Sequence, residues 1–427
     1  MEKLNSKITK KAWAMILLLF LMIGISNVEK AMIGFASVPI MDELGLSPTE
    51  WGLIGSAFYW LFAVSAILGG SIADKFGTKH VITIMVILWA VVQFSTLFIY
   101  SLPILLLTRV ILGVAEGPSY ALAMTAASKW LPREKTGTGL SLVSIGAPVL
   151  LSISAPVCIY LITNFGWRSA FLAAGISTLI WLVFWAIFGK EKPVSLEDKQ
   201  GNQVISNTAK ESFLPTFLSK NFLIVILTGF TAYWSMSVFM SWVPNYFATV
   251  LKLGNAGLSL AVTAPALLTI ASQLFFSMFS DRLYRKTGSM IKSRVFVMGP
   301  VIVTGGLFYL LGSLTSSSTL AVTFLSLGLT LGAVILVLGP TILVEIVQPQ
   351  HLGKAQGIFV AVGSIGGMVG PYVTGIFIER ASTMAAGFHY AFYVMALILG
   401  VCGVLVWMGI RSKKEKVELE AITNLNG

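Results

Sequence analysis

The sequence predicts an all-α polytopic membrane protein of twelve transmembrane helices in two six-helix bundles. Three observations carry that prediction. The 427 residues are 56% hydrophobic and only 11% charged, whereas a soluble chain carries about 25% charged residues. Apolar stretches of about 20 residues recur along the chain, each long enough to cross roughly 30 Å of hydrocarbon as a helix. Lysines and arginines gather in alternate connections between these stretches. Lipid requires every backbone group to be paired internally, so helices are the expected spanning form. The short alternating segments of a β-barrel are absent.

Taken in order, the spans are expected near 12–35, 51–72, 81–99, 103–127, 139–163, 168–188, 222–247, 256–279, 293–312, 319–344, 355–378 and 386–410. The first has a basic flank but no small-residue cleavage site after it, so it reads as a retained helix and not a signal peptide. One long polar stretch, Gly189–Lys220, separates spans six and seven. Its Lys, Glu, Ser and Asn content cannot build a core, so it reads as a linker. The expected organisation is a first bundle over 1–189, a cytoplasmic linker over 190–220, and a second bundle with a solvated tail over 221–427. If the N-terminus is cytoplasmic, 24 of the 29 Lys and Arg residues fall on that side and three in outer loops (Arg168, Lys252, Arg380). The remaining two, Lys30 and Arg109, lie inside spans. This is the positive-inside pattern. It places the protein in a cell membrane with both termini cytoplasmic. The formal charge of +11 is then topological, and no nucleic-acid partner is expected.

The halves repeat. GGSIADKFGTKH (Gly69–His80) follows span two and FSMFSDRLYRK (Phe276–Lys286) follows span eight. Asp74 and Asp281 lie 207 residues apart, and Pro132 and Pro349 lie 217 apart. A six-span unit repeated in one orientation implies two bundles about an axis along the membrane normal, with substrate held near the midplane between them.

On these residues the chain resembles the major facilitator superfamily. Gly70, Asp74, Lys75, Gly77 and Lys79 stand at the spacing of its loop 2–3 signature, with His80 in place of the usual base. The second copy keeps Asp281, Arg282, Arg285 and Lys286 but has Tyr284 for the second glycine. Within the superfamily it is similar to the anion:cation symporter group. That likeness rests on Glu29-Lys30 in span one, SAFYW (Ser56–Trp60), RVILGVAEGPSYA (Arg109–Ala121), GWRSAF (Gly166–Phe171) and GSIGGMVGP (Gly363–Pro371). The resemblance implies a bacterial, monomeric secondary transporter that imports a small organic anion, a monovalent carboxylate, with protons by alternating access. In the superfamily, spans one and four border the central cavity.

Two ionised residues inside span one cost about 2.5–3.5 kcal/mol each at a helix centre, so they call for a reason. Arg109 and Glu116 are seven residues apart, two turns on one face of span four, and Gly113 and Tyr120 share that face. The four charges sum to zero. Pairing alone would give two buried salt bridges that fix helix packing, but apolar replacements often match buried ion pairs in stability. The functional expectation is that Lys30 and Arg109 clamp an anion, with Tyr120, Tyr233 and Ser364 beside it. Glu29 and Glu116 then take up protons and free the bases. Glu29 is expected to neutralise Lys30, and Glu116 to sit beside Arg109. The resemblance assigns Gly70, Asp74, Lys75, Gly77, Lys79, Asp281 and Arg282 to a conformational gate. Trp60, Tyr233 and Trp234 are candidates for cavity lining or for packing, the glycines of 363–370 for close helix packing, and Glu345 for a solvated position.

The alternative reading is a drug or metabolite proton antiporter. The sequence after Gly146-Ala147-Pro148 fits an exporter signature poorly, and two cavity bases disfavour cationic drugs. No nucleotide-binding loop is present. Cys158 and Cys402 offer no disulfide framework, and His80, His351 and His389 have no metal spacing. No cofactor, metal or enzymatic activity is expected.

The group often carries polar residues where this chain has Met32, Gly34, Phe62, Ala66, Ala361 and Ser364. A site without hydrogen-bonding groups for hydroxyls cannot favour a polyol acid. Weakly hydroxylated carboxylates are therefore expected to compete for uptake better than gluconate-like acids. Stronger inhibition by gluconate than by aromatic or short aliphatic acids would refute this.

Overall fold

A computed structural model describes residues 9–131, 135–191 and 214–411. Pro132, the middle of the linker and the tail after Arg411 lie outside the described residues. Among those described, twelve helices are long and apolar enough to cross a membrane. They are Lys10–Phe35, Pro48–Phe76, Thr78–Phe98, Leu102–Trp130, Gly139–Phe165 and Trp167–Phe188, then Lys220–Thr249, Asn255–Thr287, Ile291–Leu314, Ser318–Ile346, Leu352–Arg380 and Met384–Gly409. Each expected span is present. Span eight departs most, because its helix runs past the apolar stretch into the basic loop.

Contacts group the chain into two compact units. The first joins residues 1–202 to 237–267 and 368–387. It thus holds spans one to six, the second part of span seven, the first part of span eight and the last part of span eleven. The second comprises 203–236, 268–367 and 388–427.

Hydropathy alone cannot tell which face of an all-apolar helix meets lipid; in the first unit, packing does. Span six buries Phe171, Thr178, Trp181 and Trp185 and exposes Ile180, Val183, Phe184 and Ile187. Trp181 and Trp185 stack with centroids 5.2 Å apart, and the Trp181 indole donates to the Leu18 carbonyl of span one at 2.8 Å.

Two features brace this unit at the Arg168 end of its spans. Arg168 pairs with Glu43 at 2.7 Å, donates to the carbonyls of Thr96 and Ile99, and stacks on Trp167. It ties together the connections after spans one, three and five. Burial acts to raise the Glu43 carboxyl, but hydrogen bonds from Trp167 and Arg168 outweigh it and hold Glu43 below its ordinary value. The clasp is complete above the ordinary carboxylate range and weakens only as pH falls through the lowered value. The second feature is a backbone seam. The Trp51 indole donates to the Ser241 carbonyl at 3.1 Å, and the Trp242 indole donates to Pro371 at 2.9 Å. Gly34 lies on the Met240 carbonyl and Gly52 on that of Pro371, where any Cβ would collide with backbone. Spans one and two therefore seal against spans seven and eleven at this end.

Spans two and four are each broken in mid-course. Span four divides into Leu102–Glu116 and Ser119–Trp130. Pro118 has no N–H to continue the ladder, and its ring excludes the preceding carbonyl. Span two divides into Pro48–Ala57 and Phe62–Phe76, with the turn at 58–61.

Candidate functional site

Neighbouring residues on a helix point about 100° apart, so Glu29 and Lys30 cannot face the same way. Lys30, 16% exposed, reaches Glu116 on span four at 2.8 Å. Glu116 is fully buried and also accepts from Ser26 Oγ at 2.7 Å. Ser26 lies one turn before Lys30, so both approach Glu116 from one face of span one. Glu29, fully buried, turns instead to span six and accepts from Thr178 Oγ1 at 2.7 Å. The expected partners are thus exchanged: Glu116 neutralises Lys30, and Glu29 does not. Among the described residues Arg109 makes no hydrogen bond or ion pair, although it is only 2% exposed.

Arg109 and Lys30 open onto the same small pocket. Ile33, Ile54, Gly55, Phe58, Tyr59, Ser237, Met240 and Ser241 complete its lining. It carries two cations and no carboxylate, because both acids lie behind the wall. The turn in span two brings Phe58 and Tyr59 into place, with Phe62 packed against both at 5.5 and 6.0 Å. Ser241 spends its hydroxyl on the Ser237 carbonyl of its own helix. Burying a guanidinium without a partner is unfavourable, and the planar fork of Arg matches a carboxylate bidentately. The chemistry the pocket favours is binding of a small anion with an apolar body.

The other predicted site residues are placed differently. Tyr120 does not line this pocket. The break at Gly117-Pro118 takes it off the face of Arg109 and Glu116, where it stands 55% exposed and bonded to Ser144 at 3.0 Å. Tyr233 and Ser364 belong to the second unit. Tyr233 lies over Gly363, and Ser364, buried, donates to the Val360 carbonyl of its own helix. Trp60 bonds Ser56 within its own span, while Trp234 is buried beside Phe230. Met32 is fully buried and does not line the pocket.

Of the predicted gate, Gly77 has φ +89°, a conformation that favours glycine, and it turns the chain between spans two and three. Nothing crowds Gly70. Asp74 is exposed, with no hydrogen bond or ion pair among the described residues, and Lys75 lies over Phe76. Glu191 accepts from the backbone N–H groups of Thr78 and Lys79 and pairs with Lys129 at 3.6 Å. Its carboxylate thus caps the start of span three. In the second copy Asp281 pairs with Arg294, which also donates to Ser280 and stacks on Tyr284. The Tyr284 hydroxyl reaches the exposed Glu345 at 3.4 Å. Arg282 is exposed.

Sequence reasoning missed Thr178, Ser26, Glu191 and Arg294. Ser26 was findable, one turn before Lys30 on a charged face. Arg294 was counted as a loop cation but is 8% exposed. Thr178 carried no signal, because its role depends on how span six is turned. Among the described residues no group of His, Cys, Asp and Glu could hold a metal ion.

Comparison with known proteins bears on the family and the fold. The Major Facilitator Superfamily profile matches residues 16–335 and 225–424. A probable sulfoacetate transporter of Cupriavidus necator is 28% identical over 393 residues, covering 89% of this chain and 90% of that protein. A hexuronate transporter of Bacillus subtilis is 24% identical, covering 90% and 92%. Among solved structures, an inward-facing bacterial homologue of the human lysosomal transporter Spinster superimposes with a TM-score of 0.77 at 17% identity, covering 92% of this chain and 95% of that one. A D-xylose-proton symporter gives a TM-score of 0.75 at 14% identity, covering 93% and 98%.

Replacing Arg109 by an apolar residue removes a buried charge that makes no hydrogen bond or ion pair among the described residues. Arg109→Met is therefore expected to keep or raise the Tm while lowering uptake of labelled small carboxylates by about two orders of magnitude or more. A large fall in Tm with near-normal uptake by the surviving protein would show that Arg109 serves packing and not the anion.

Proposed function

The chain belongs to the Major Facilitator Superfamily, and on that premise we propose that it imports a small organic anion together with protons by alternating access. The observation that carries this reading is the buried Arg109, with no hydrogen bond or ion pair among the described residues, opening beside Lys30 onto a pocket with no carboxylate in its lining. The names of its relatives support it: sulfoacetate, hexuronate and galactarate/D-glucarate are all organic acids. The apolar wall of Ile33, Ile54, Phe58 and Met240 favours the least hydroxylated of these. Sulfoacetate, which carries no alcohol hydroxyl, asks less hydrogen bonding of this lining than a sugar acid does, and its two negative groups match the two cations.

Coupling follows from the Lys30–Glu116 bridge. A proton on Glu116 removes the charge that holds Lys30, so Lys30 can turn to an anion already seated on Arg109. Loss of the proton restores the bridge and weakens the anion's hold. Glu29, held by Thr178 and away from the pocket, is the second proton carrier. The moving parts are the bundles 1–189 and 221–427, in a cell membrane with both termini cytoplasmic. The loops containing Gly70, Asp74, Lys75, Gly77 and Lys79, and Asp281 with Arg282, lock one face. In that gate Glu191 and Arg294 hold the two loop copies, and Arg294 does so through Asp281.

Glu116→Gln imitates the permanently protonated carrier. In reconstituted vesicles it is expected to retain counterflow of a confirmed carboxylate substrate, since Arg109 is untouched, and to lose accumulation driven by a pH gradient. Accumulation that persists in Glu116→Gln and fails only in Glu29→Gln would move the coupling site to span one.

A further inference from the structure

The described residues contain eight buried side-chain nitrogen and oxygen atoms without a hydrogen-bond partner, and six of them belong to five residues of spans one, three and four. They are Glu29 Oε2, Glu116 Oε1, Gln93 Oε1 and Nε2, Trp89 Nε1 and Arg109 Nε. Glu29, Trp89, Gln93 and Glu116 are fully buried. Trp89 and Gln93 are one turn apart on span three. The Gln93 stem packs against Gly175 of span six, and one turn on, Thr178 holds Glu29. The Gln93 amide lies beside the Glu29 carboxyl, with no hydrogen bond of regular geometry between them. Arg109 and Glu116 of span four are the charged groups facing Glu29. Span five carries no charged residue, and the one in span six, Arg168, is engaged with Glu43.

The chemistry of these atoms identifies what belongs among them. Three are donors (Gln93 Nε2, Trp89 Nε1, Arg109 Nε) and three are acceptors (Glu29 Oε2, Gln93 Oε1, Glu116 Oε1). A sodium ion would satisfy only the acceptors and would face Arg109. An anion would satisfy only the donors and would face two carboxyls. Water both donates and accepts, and buried waters bridge groups of this kind.

We propose that Gln93 anchors internal water behind the anion pocket, joining Glu29 to Arg109 and Glu116, and that this water carries protons to the buried carboxyls. Each transfer forms one O–H bond as it breaks another. A water gives its proton to a carboxylate oxygen and takes one from the next water, and solvent in the pocket resets the chain. Gln93 is a positioning residue: it acts through the water it holds. The proposal rests on the reading of Glu29 and Glu116 as proton carriers, but the water itself can be tested without transport.

Radiolytic hydroxyl labelling of the purified protein marks side chains that touch bound water even when they are buried. Trp51 is the control, 1% exposed with its indole satisfied by Ser241. Trp89 is expected to oxidise about tenfold faster than Trp51 in the unmodified protein, and Gln93→Met to bring it down to the Trp51 rate. Equal rates in the unmodified protein, or a fast Trp89 rate untouched by Gln93→Met, would overturn the proposal. In vesicles, the pH of half-maximal uptake is expected to move by about one unit in Gln93→Met and to be recovered in part by Gln93→Asn, which keeps the amide. An unchanged pH profile in Gln93→Met overturns the proton-carrying role. If the unmodified protein takes up no carboxylate at any pH, the transport reading fails while the labelling result stands by itself.

Discussion

A guanidinium buried with no hydrogen bond or ion pair among the described residues is the constraint from which the rest of the site follows. Arg109 is held 2% exposed on the first half of span four, and the two acids whose charges act on it make their hydrogen bonds elsewhere. Glu116 is taken by Lys30 and Ser26, and Glu29 by Thr178. A membrane protein tolerates such a charge only when something pairs with it during its work. In the proposed function a visiting carboxylate supplies that partner. The tight backbone seam over the pocket, Gly34 on Met240 and Gly52 on Pro371, isolates the site on one side. The proposed interaction between Arg109 and an anion gains strength accordingly, because little water competes for it.

The same arrangement explains why span one carries adjacent charges of opposite sign. They do not neutralise each other. The helix sends Lys30 toward the pocket and Glu29 toward span six, so one residue pair serves two compartments: a pocket with two cations and an apolar wall, and a polar cluster behind it. Glu116 is the link between them, because its two oxygens differ. One holds Lys30 and Ser26, and the other faces the cluster without a partner. A change in charge at Glu116 is therefore felt in both places.

Much of this was legible in the sequence. Composition and the 20-residue apolar period were enough to predict the twelve spans, and basic residues in alternate loops gave a consistent sidedness. That Lys30, Arg109, Glu29 and Glu116 lie within spans could be read from the sequence, and the cost of charge in hydrocarbon singles them out. Their pairing could not, because it depends on how four helices are rotated about their axes, and near-uniform apolarity leaves that rotation unmarked. Tyr120 was misplaced for a different reason. Gly117-Pro118 announces a break, and counting turns through it as one continuous helix put Tyr120 on the wrong face. Arg294 was hidden because a base near a loop reads as solvated, whereas here it braces Asp281 and Ser280.

The measurement that bears most directly on the central claim is a structure of the protein with a transported carboxylate bound. The account predicts one acidic group of the ligand paired in a fork with the Arg109 guanidinium, its body against Phe58 and Met240, and Lys30 within reach. An anion seated away from Arg109, with the guanidinium still without a ligand, would contradict it.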